Sequence, residues 1–218
     1  PAGALTPVTG GSGSGKSSLL RVLAGAAMPD AGDVRIDGAR LSDWNGEQLG
    51  RHVGYMPQSP TLFPTTVHAN ISRFRAVLDG EGAALDARVV AAAEAAGAHT
   101  LILSLPQGYA TMLTAGEGHG VSAGQAQAVA LSRALFGEPM LLILDEPNAH
   151  LDTDGEARLA TTLASLRDRG ATVIVSTHRT GLLPVLDKVM VLQDGRIQVY
   201  GDRAEVLRPA PAGLRGAA

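Results

Sequence analysis

Eight consecutive residues carry the clearest chemistry in this sequence. Gly10-Gly11-Ser12-Gly13-Ser14-Gly15-Lys16-Ser17 fits the pattern G-x-x-x-x-G-K-[S/T] at every position. Glycines let successive backbone N–H groups converge on one point, and a helix that starts there adds the positive end of its dipole. Such a loop suits a phosphate group. The Lys16 ammonium can reach the β and γ phosphates of a nucleoside triphosphate, and the Ser17 hydroxyl can hold Mg2+. Residues Gly10 to Ser18 are therefore the nucleotide-binding candidates. The bland alternative is a Gly/Ser linker, but the Lys-Ser pair opens a segment of helical periodicity. Alone, the motif leaves the base of the nucleotide open.

Leu144-Asp145-Glu146-Pro147 follows a wholly apolar run. A carboxylate leaving a buried strand beside a phosphate loop can order the shell of Mg2+, and Asp145 is placed for that. Glu146, one residue further on, can orient or deprotonate an attacking water. Val121-Ser122-Ala123-Gly124-Gln125 opens a long helix, where Ser122 and the backbone at Gly124 can bind an anion. Ser122 also reads as a plain N-cap. Two phosphate-binding helix starts in one chain would suit a nucleotide shared between two protomers.

The elements that must position these groups alternate between strand and helix. Ala4–Thr9 reads as a strand weakened by Pro7, feeding the glycine loop. A helix follows from Lys16 to about Ala26, broken by Pro29-Asp30 and Gly32. Val34-Arg35-Ile36 alternates like a strand and stops at the turn Asp37-Gly38. His52–Met56 is a strand ended by Pro57. From Thr66 to Phe136 the pattern is helical and Ala-rich, clearest over Asp86–Ala96 and Ser122–Leu135, with a loop at Leu105–Tyr109. Met140–Leu144 is a strand buried on both faces. Asp154–Arg169 is a helix with Thr153 or Asp154 as its N-cap and Gly170 past its end. Thr172–Ser176 is another buried strand. Val189–Leu192 and Ile197–Tyr200 flank the hairpin turn Asp194-Gly195. Asp202–Leu207 is a short helix, and residues 208–218 form a loose tail. The alternation predicts a parallel sheet with helices on both faces. Its core spans residues 1–65 and 137–207, with a helical subdomain inserted over 66–136.

Composition narrows the partners. Lys and Arg total 18 against 21 Asp and Glu, a formal charge of −3, which argues against a basic nucleic-acid face. Aromatic residues are 3%, too few for a surface of stacked rings. The absence of cysteine excludes disulfides and Cys-based zinc sites. No apolar run approaches the ~20 residues of a membrane span, and no signal peptide opens the chain. The first residue, Pro1, is expected of a piece of a longer chain.

In this order, the motifs resemble those of the nucleotide-binding domain of ABC transporters, over roughly residues 3–207. The resemblance implies an α/β P-loop NTPase (RecA-like) parallel-sheet core with an inserted ABC-type helical subdomain. It also implies ATP with Mg2+. The family's signature loop usually reads L-S-G-G-Q. Here Ser122, Ala123, Gly124 and Gln125 stand at its last four positions. In the family this loop meets the γ-phosphate held by a partner, so that ATP closes a head-to-tail dimer of two copies. Gln58 matches the glutamine that senses Mg2+ and the attacking water. Asp152 matches the end of the D-loop, which crosses the dimer interface. His178 matches the switch histidine, which contacts the γ-phosphate. The implied catalytic set is Glu146, His178 and Gln58, and the implied metal set is Ser17, Gln58 and Asp145. His52, His68, His99, His119 and His150 lack metal-ligand spacing and take no role.

Further residues are similar to those of type I secretion ATPases: Asp145-Glu146-Pro147-Asn148-Ala149-His150-Leu151-Asp152, Phe63-Pro64-Thr65-Thr66-Val67, Asn70-Ile71-Ser72-Arg73-Phe74, Leu135-Phe136-Gly137, the pair His178-Arg179 and the alanine at 123. That class implies ATP-driven polypeptide export from the cytoplasmic face of a bacterial inner membrane. Its implied partners are a membrane-spanning domain fused upstream, a periplasmic adaptor and an outer-membrane channel. Motion would reach the membrane domain through Gln58–Phe63 and the helical subdomain, with Glu117 as a contact. The alternatives are a non-transport ABC ATPase acting on DNA or ribosomes, and a degenerate module that does not hydrolyse. The spacing between Lys16 and Ser122 leaves no room for the coiled-coil arms of the DNA-repair type.

Three departures bear on the site. Ala126 and Ala128 stand where the family usually has arginine, which would weaken phosphate or dimer contacts. Ala123 replaces a glycine, at a cost of about 1 kcal/mol or more if the position needs a positive φ. No aromatic residue precedes Gly10 to stack on adenine, so weak nucleotide binding is expected of these residues alone.

Overall fold

The computed structural model describes residues 2–80, 82–114, 120–149, 151–178 and 180–206. Glu117, Arg179 and the tail 208–218 lie outside the described residues, as do His119 and His150.

Strand β1 (Leu5–Thr9) leads through the glycine loop into α1 (Lys16–Leu23). The helix stops before Ala26 because Gly25 takes φ 72° and the Ala26 N–H closes back on the Arg21 carbonyl at 2.9 Å, a Schellman-type end. The short strands β2 (Arg35–Ile36) and β3 (Ala39–Arg40) form an antiparallel hairpin through Asp37-Gly38, both residues at positive φ. Helix α2 (Gly46–His52), absent from the sequence reading, is capped by Asn45, whose side chain accepts from Glu47 N and Gln48 N. It runs directly into β4 (Val53–Met56). Then come α3 (Val67–Ile71), α4 (Arg75–Asp79), α5 (Ala83–Ala95), α6 (His99–Leu103) and α7 (Ala123–Leu135). After β5 (Leu141–Asp145) and α8 (Thr153–Asp168), the chain ends with β6 (Thr172–Ser176), β7 (Lys188–Gln193), β8 (Arg196–Asp202) and α9 (Arg203–Val206). The N-cap of α8 is Asp152 rather than Thr153 or Asp154: its carboxylate accepts from Gly155 N at 2.7 Å.

The main sheet has the order β4-β5-β6-β1-β7-β8. Its first five strands are parallel and β8 returns antiparallel. Pro7 sits inside this sheet at little cost. The Leu5 carbonyl accepts from Asp187 N on the β7 side, so by alternation Pro7 faces the same side. Pairing with β7 begins only at Val8, and the missing N–H interrupts no ladder bond. Helices cover both faces. Leu142, Leu144, Val173 and Val175 pack with Leu131 of α7 and Leu159 and Leu163 of α8. Ile143 points the other way, to Val8, Leu20 and Leu192. This two-sided burial is why β5 is an unbroken apolar run.

One side chain ties α7 to the edge of the sheet. Arg73, itself at φ 53°, donates to the Arg133 and Ala134 carbonyls at 2.8 and 2.9 Å, and to the Gly50 and Val53 carbonyls at 2.5 and 3.2 Å. Burial, with Arg133 and Arg75 nearby, lowers its pKa to about 10, so it remains charged at neutral pH. Arg73→Met keeps much of the stem but strands these acceptors. It should lower the unfolding free energy by about 3 kcal/mol, read as a shifted urea midpoint.

Candidate functional site

The parallel strands bring the motifs to one edge. Val8 pairs with Ser176, Asp145 with Ser176, and Met56 with Leu144. The carboxyl ends of β1, β4, β5 and β6 are therefore neighbours, and the glycine loop, Gln58, the Asp145-Glu146 pair and His178 all leave the sheet there. Crevices at such strand ends are where open α/β sheets bind ligands.

The glycine loop is tightly fitted. A Cβ on Gly10 would lie 2.2 Å from the Leu192 carbonyl oxygen, so no larger residue fits without moving β7. The Ser14 carbonyl accepts from Gly195 N at 3.0 Å, which fastens the loop to the β7–β8 turn. Lys16 is buried, and its ammonium donates to the Gly10 and Gly11 carbonyls at 3.0 and 2.9 Å. Gly11, Ser12, Gly13 and Ser18 are exposed, while Gly15 and Ser17 are half-buried at the start of α1. Ser14 Oγ is buried without a hydrogen-bond partner. The loop thus offers a concave run of backbone around a lysine, with an unused hydroxyl beneath it.

The acidic pair is divided in its environment. Asp145 is 2% exposed. One of its oxygens accepts from the Ser176 hydroxyl, and Oδ2 is buried with no partner. Tyr55, near it, has its hydroxyl pKa pushed up by burial and then by the Asp145 charge. Glu146 turns outward. Its Oε2 accepts from Gln58 Nε2 at 3.0 Å, and its Oε1 lies 3.2 Å from His178 Nε2. The backbone of Glu146 is in the left-handed region at φ 52°, a conformation that persists only when its surroundings impose it. They do so here: its N–H donates to the Ser176 carbonyl and hydroxyl at 3.1 and 3.0 Å.

These groups fit Mg2+ with a triphosphate. The orphaned Asp145 oxygen ends β5, and α1, which opens with Lys16-Ser17, packs against that strand. Oxygen donors from a hydroxyl, a carboxylate and the Gln58 amide are the hard ligands Mg2+ prefers, with phosphates and water completing the shell. Among the described residues there is no cluster of three His, Cys, Asp or Glu able to hold a metal without such help.

The residues expected to form the signature loop lie at the start of α7. Ser122 caps α7 in a reciprocal box: its Oγ accepts from Gln125 N at 3.2 Å, and Gln125 Oε1 accepts from Ser122 N at 2.8 Å. Ser122 and Ala123 are exposed. Ala123 is the first helical residue and has no positive φ, so the replacement of glycine carries no backbone strain. Ala126 and Ala128 are partly buried against the core. Asp152 is exposed and holds the α8 cap.

Two residues missed in the sequence complete the arrangement. Ser176 connects Asp145 to the Glu146 N–H. Gln127, buried on α7, donates to the Glu146 and Pro147 carbonyls at 3.2 and 3.0 Å. A signal for Gln127 existed: it shares a stripe with Ala130, Leu131 and Ala134, where an apolar residue is expected.

A family model described as ABC transporter matches residues 1–149. The chain is 47% identical over 206 residues to the type I secretion system ATP-binding protein PrsD of Rhizobium meliloti, covering 94% of this chain and 34% of that protein. It is 38% identical over 206 residues to the cyclolysin secretion/processing ATP-binding protein CyaB of Bordetella pertussis, covering 94% of this chain and 28% of that one. Among solved structures, a bacterial Atm1-family ABC exporter with ATP bound superimposes with a TM-score of 0.79 at 33% identity, covering 94% of this chain and 35% of that chain. The chain thus spans about a third of the length of these relatives. With this likeness across nearly its whole length, and a P-loop sheet of matching fold, the chain belongs to the ABC transporter family.

Proposed function

We propose that this chain is the ATP-binding and ATP-hydrolysing motor of an ABC exporter of the type I protein secretion class. The observation that carries the reading is Glu146, held between Gln58 and His178 at the strand edge that also bears the phosphate loop. Residues Gly10 to Ser18 bind the triphosphate, with Lys16 on its β and γ phosphates. Ser17, Asp145 and Gln58 would hold Mg2+, which would supply positive charge to offset that on the transferring phosphoryl group. Glu146 takes a proton from water as the water oxygen attacks the γ-phosphorus and the bond to the ADP oxygen breaks. His178 and Gln58 orient that carboxylate and the water.

The exposed start of α7 supports a shared site. Ser122, Ala123, Gly124 and Gln125 would close over a nucleotide held by a second copy, with Asp152 near the seam. The helices over 66–136 act as a subdomain distinct from the core of 1–65 and 137–207. The assembly adds a membrane-spanning domain, a periplasmic adaptor and an outer-membrane channel, and works at the cytoplasmic face of the inner membrane. Among the described residues no helix is long and apolar enough to cross a membrane. Nucleic acid has no part in it.

Mixing two inactive variants tests the shared site. Lys16→Ala and Ser122→Arg should each abolish hydrolysis in the full-length protein. Mixed dimers contain one site with both its lysine and its serine, so an equimolar mixture should regain roughly a quarter of wild-type activity, as expected of a two-fold dimer. A mixture as inactive as its components would overturn the head-to-tail arrangement.

A further inference from the structure

We infer that Gln127 is a positioning residue for the catalytic glutamate, linking the helix that carries the signature loop to the backbone of Glu146. The inference rests on the proposed hydrolytic function and adds a residue to it.

The main chain at Glu146 is a joint held from two sides. From the sheet, Ser176 accepts its N–H through both carbonyl and hydroxyl. From α7, the Gln127 amide donates to the Glu146 and Pro147 carbonyls, and Ala149 N donates to the same Glu146 carbonyl at 3.2 Å. A left-handed φ of 52° on a residue with a side chain needs such bracing. It also aims the carboxylate: rotation about φ or ψ at Glu146 would swing it off Gln58 and His178.

The sequence position of Gln127 adds the functional consequence. It lies five residues after Ser122 on the same helix. Any displacement of α7 that moves the Ser122 cap also moves the amide that grips the Glu146 carbonyl. The signature loop and the hydrolytic carboxylate are therefore joined within one protomer by one buried side chain. When the signature end of α7 seats on a partner's nucleotide, Gln127 carries that seating to the same protomer's own Glu146. Packing alone would not need an amide: Gln127 is 5% exposed among apolar neighbours, where methionine would fill a similar volume.

The test uses Gln127→Met, which keeps the volume and removes the donor, and Gln127→Glu, which replaces the donor with an acceptor facing two carbonyls. In the full-length protein, both should lower kcat for ATP at least tenfold while KM stays within about threefold. A loss of folding would instead reduce the active fraction and the melting temperature together. In a Glu146→Gln background, Gln127→Met should cause no further loss of residual turnover, because the residue acts through that carboxylate. Amide hydrogen exchange without nucleotide gives a reading independent of activity. In Gln127→Met the Ala149 amide should exchange at least tenfold faster, while amides in the middle of α7 keep their protection. If wild-type protein fails to hydrolyse ATP, the proposed function falls, and the exchange measurement still decides the brace. Unchanged exchange at Ala149, or kcat unchanged in an active enzyme, would overturn the role of Gln127.

Discussion

Glu146→Gln in the full-length protein should still bind ATP and should all but stop hydrolysing it. The substitution is isosteric, and an amide can keep partners at both ends. Its oxygen can accept from Gln58 Nε2, and its NH2 can donate to a neutral His178 ring, the contacts now made at 3.0 and 3.2 Å. The brace on the backbone at φ 52° does not involve the side chain and is retained. What disappears is the ability to take a proton from water. Removing a positioned general base costs about 10²- to 10⁴-fold, or roughly 3–5 kcal/mol of barrier. Single-turnover phosphate release should fall by that factor, while the dissociation constant for ATP changes by less than about threefold. Nucleotide should then accumulate unhydrolysed, and with it the ATP-bound dimer. A variant that turns over at even a third of the wild-type rate would remove Glu146 from the mechanism.

The parts of this site that could be seen in the sequence are those in which chemistry and local structure coincide. The loop Gly10–Ser17 is legible because only glycine fits at a place such as residue 10, where a side chain would strike the Leu192 carbonyl. Asp145 and Glu146 are legible because they follow Leu142, Ile143 and Leu144, a strand whose two-sided burial leaves no other signature. The bracing was not legible. Ser176 ends a β-branched strand and looks like ordinary filler until β5 lies beside it. Gln127 interrupts the apolar stripe of α7, which singles it out but does not name its partner. Arg73 enters the sequence reading only within the run Asn70–Phe74, yet it spans from α7 to the start of β4. These three act across the chain, between residues far apart in sequence, and neither period nor composition records such pairings. The cap of α8 failed for a simpler reason. Asp152, Thr153 and Asp154 are all good N-caps, and the choice among them depends on how the preceding turn enters the helix.

Lys16→Ala carries the other large effect, and it should separate nucleotide binding from the stability of the chain. The Lys16 ammonium now rests on the Gly10 and Gly11 carbonyls at 3.0 and 2.9 Å. Both carbonyls belong to a loop whose outer residues are exposed, so water can take over when the ammonium is removed. The nucleotide-free protein should therefore lose no more than about 1 kcal/mol. A triphosphate has no such substitute. Each charge-assisted hydrogen bond to a phosphate is worth about 1.5–3 kcal/mol, so losing contacts to two phosphates should weaken ATP binding by roughly 10²- to 10⁴-fold. Thermal unfolding reads both quantities at once. At a ligand concentration a hundred times the dissociation constant, wild-type protein gains about 2.7 kcal/mol from bound nucleotide. Lys16→Ala should show nearly the same melting temperature as wild type without ATP and almost no rise with it. Lys16→Arg should not rescue binding, because a planar guanidinium cannot enter the space between the loop carbonyls as a compact ammonium does. If the ATP-dependent rise survived Lys16→Ala, the nucleotide would lie elsewhere, and the strand edge shared by Lys16, Glu146 and His178 would not be the site of hydrolysis.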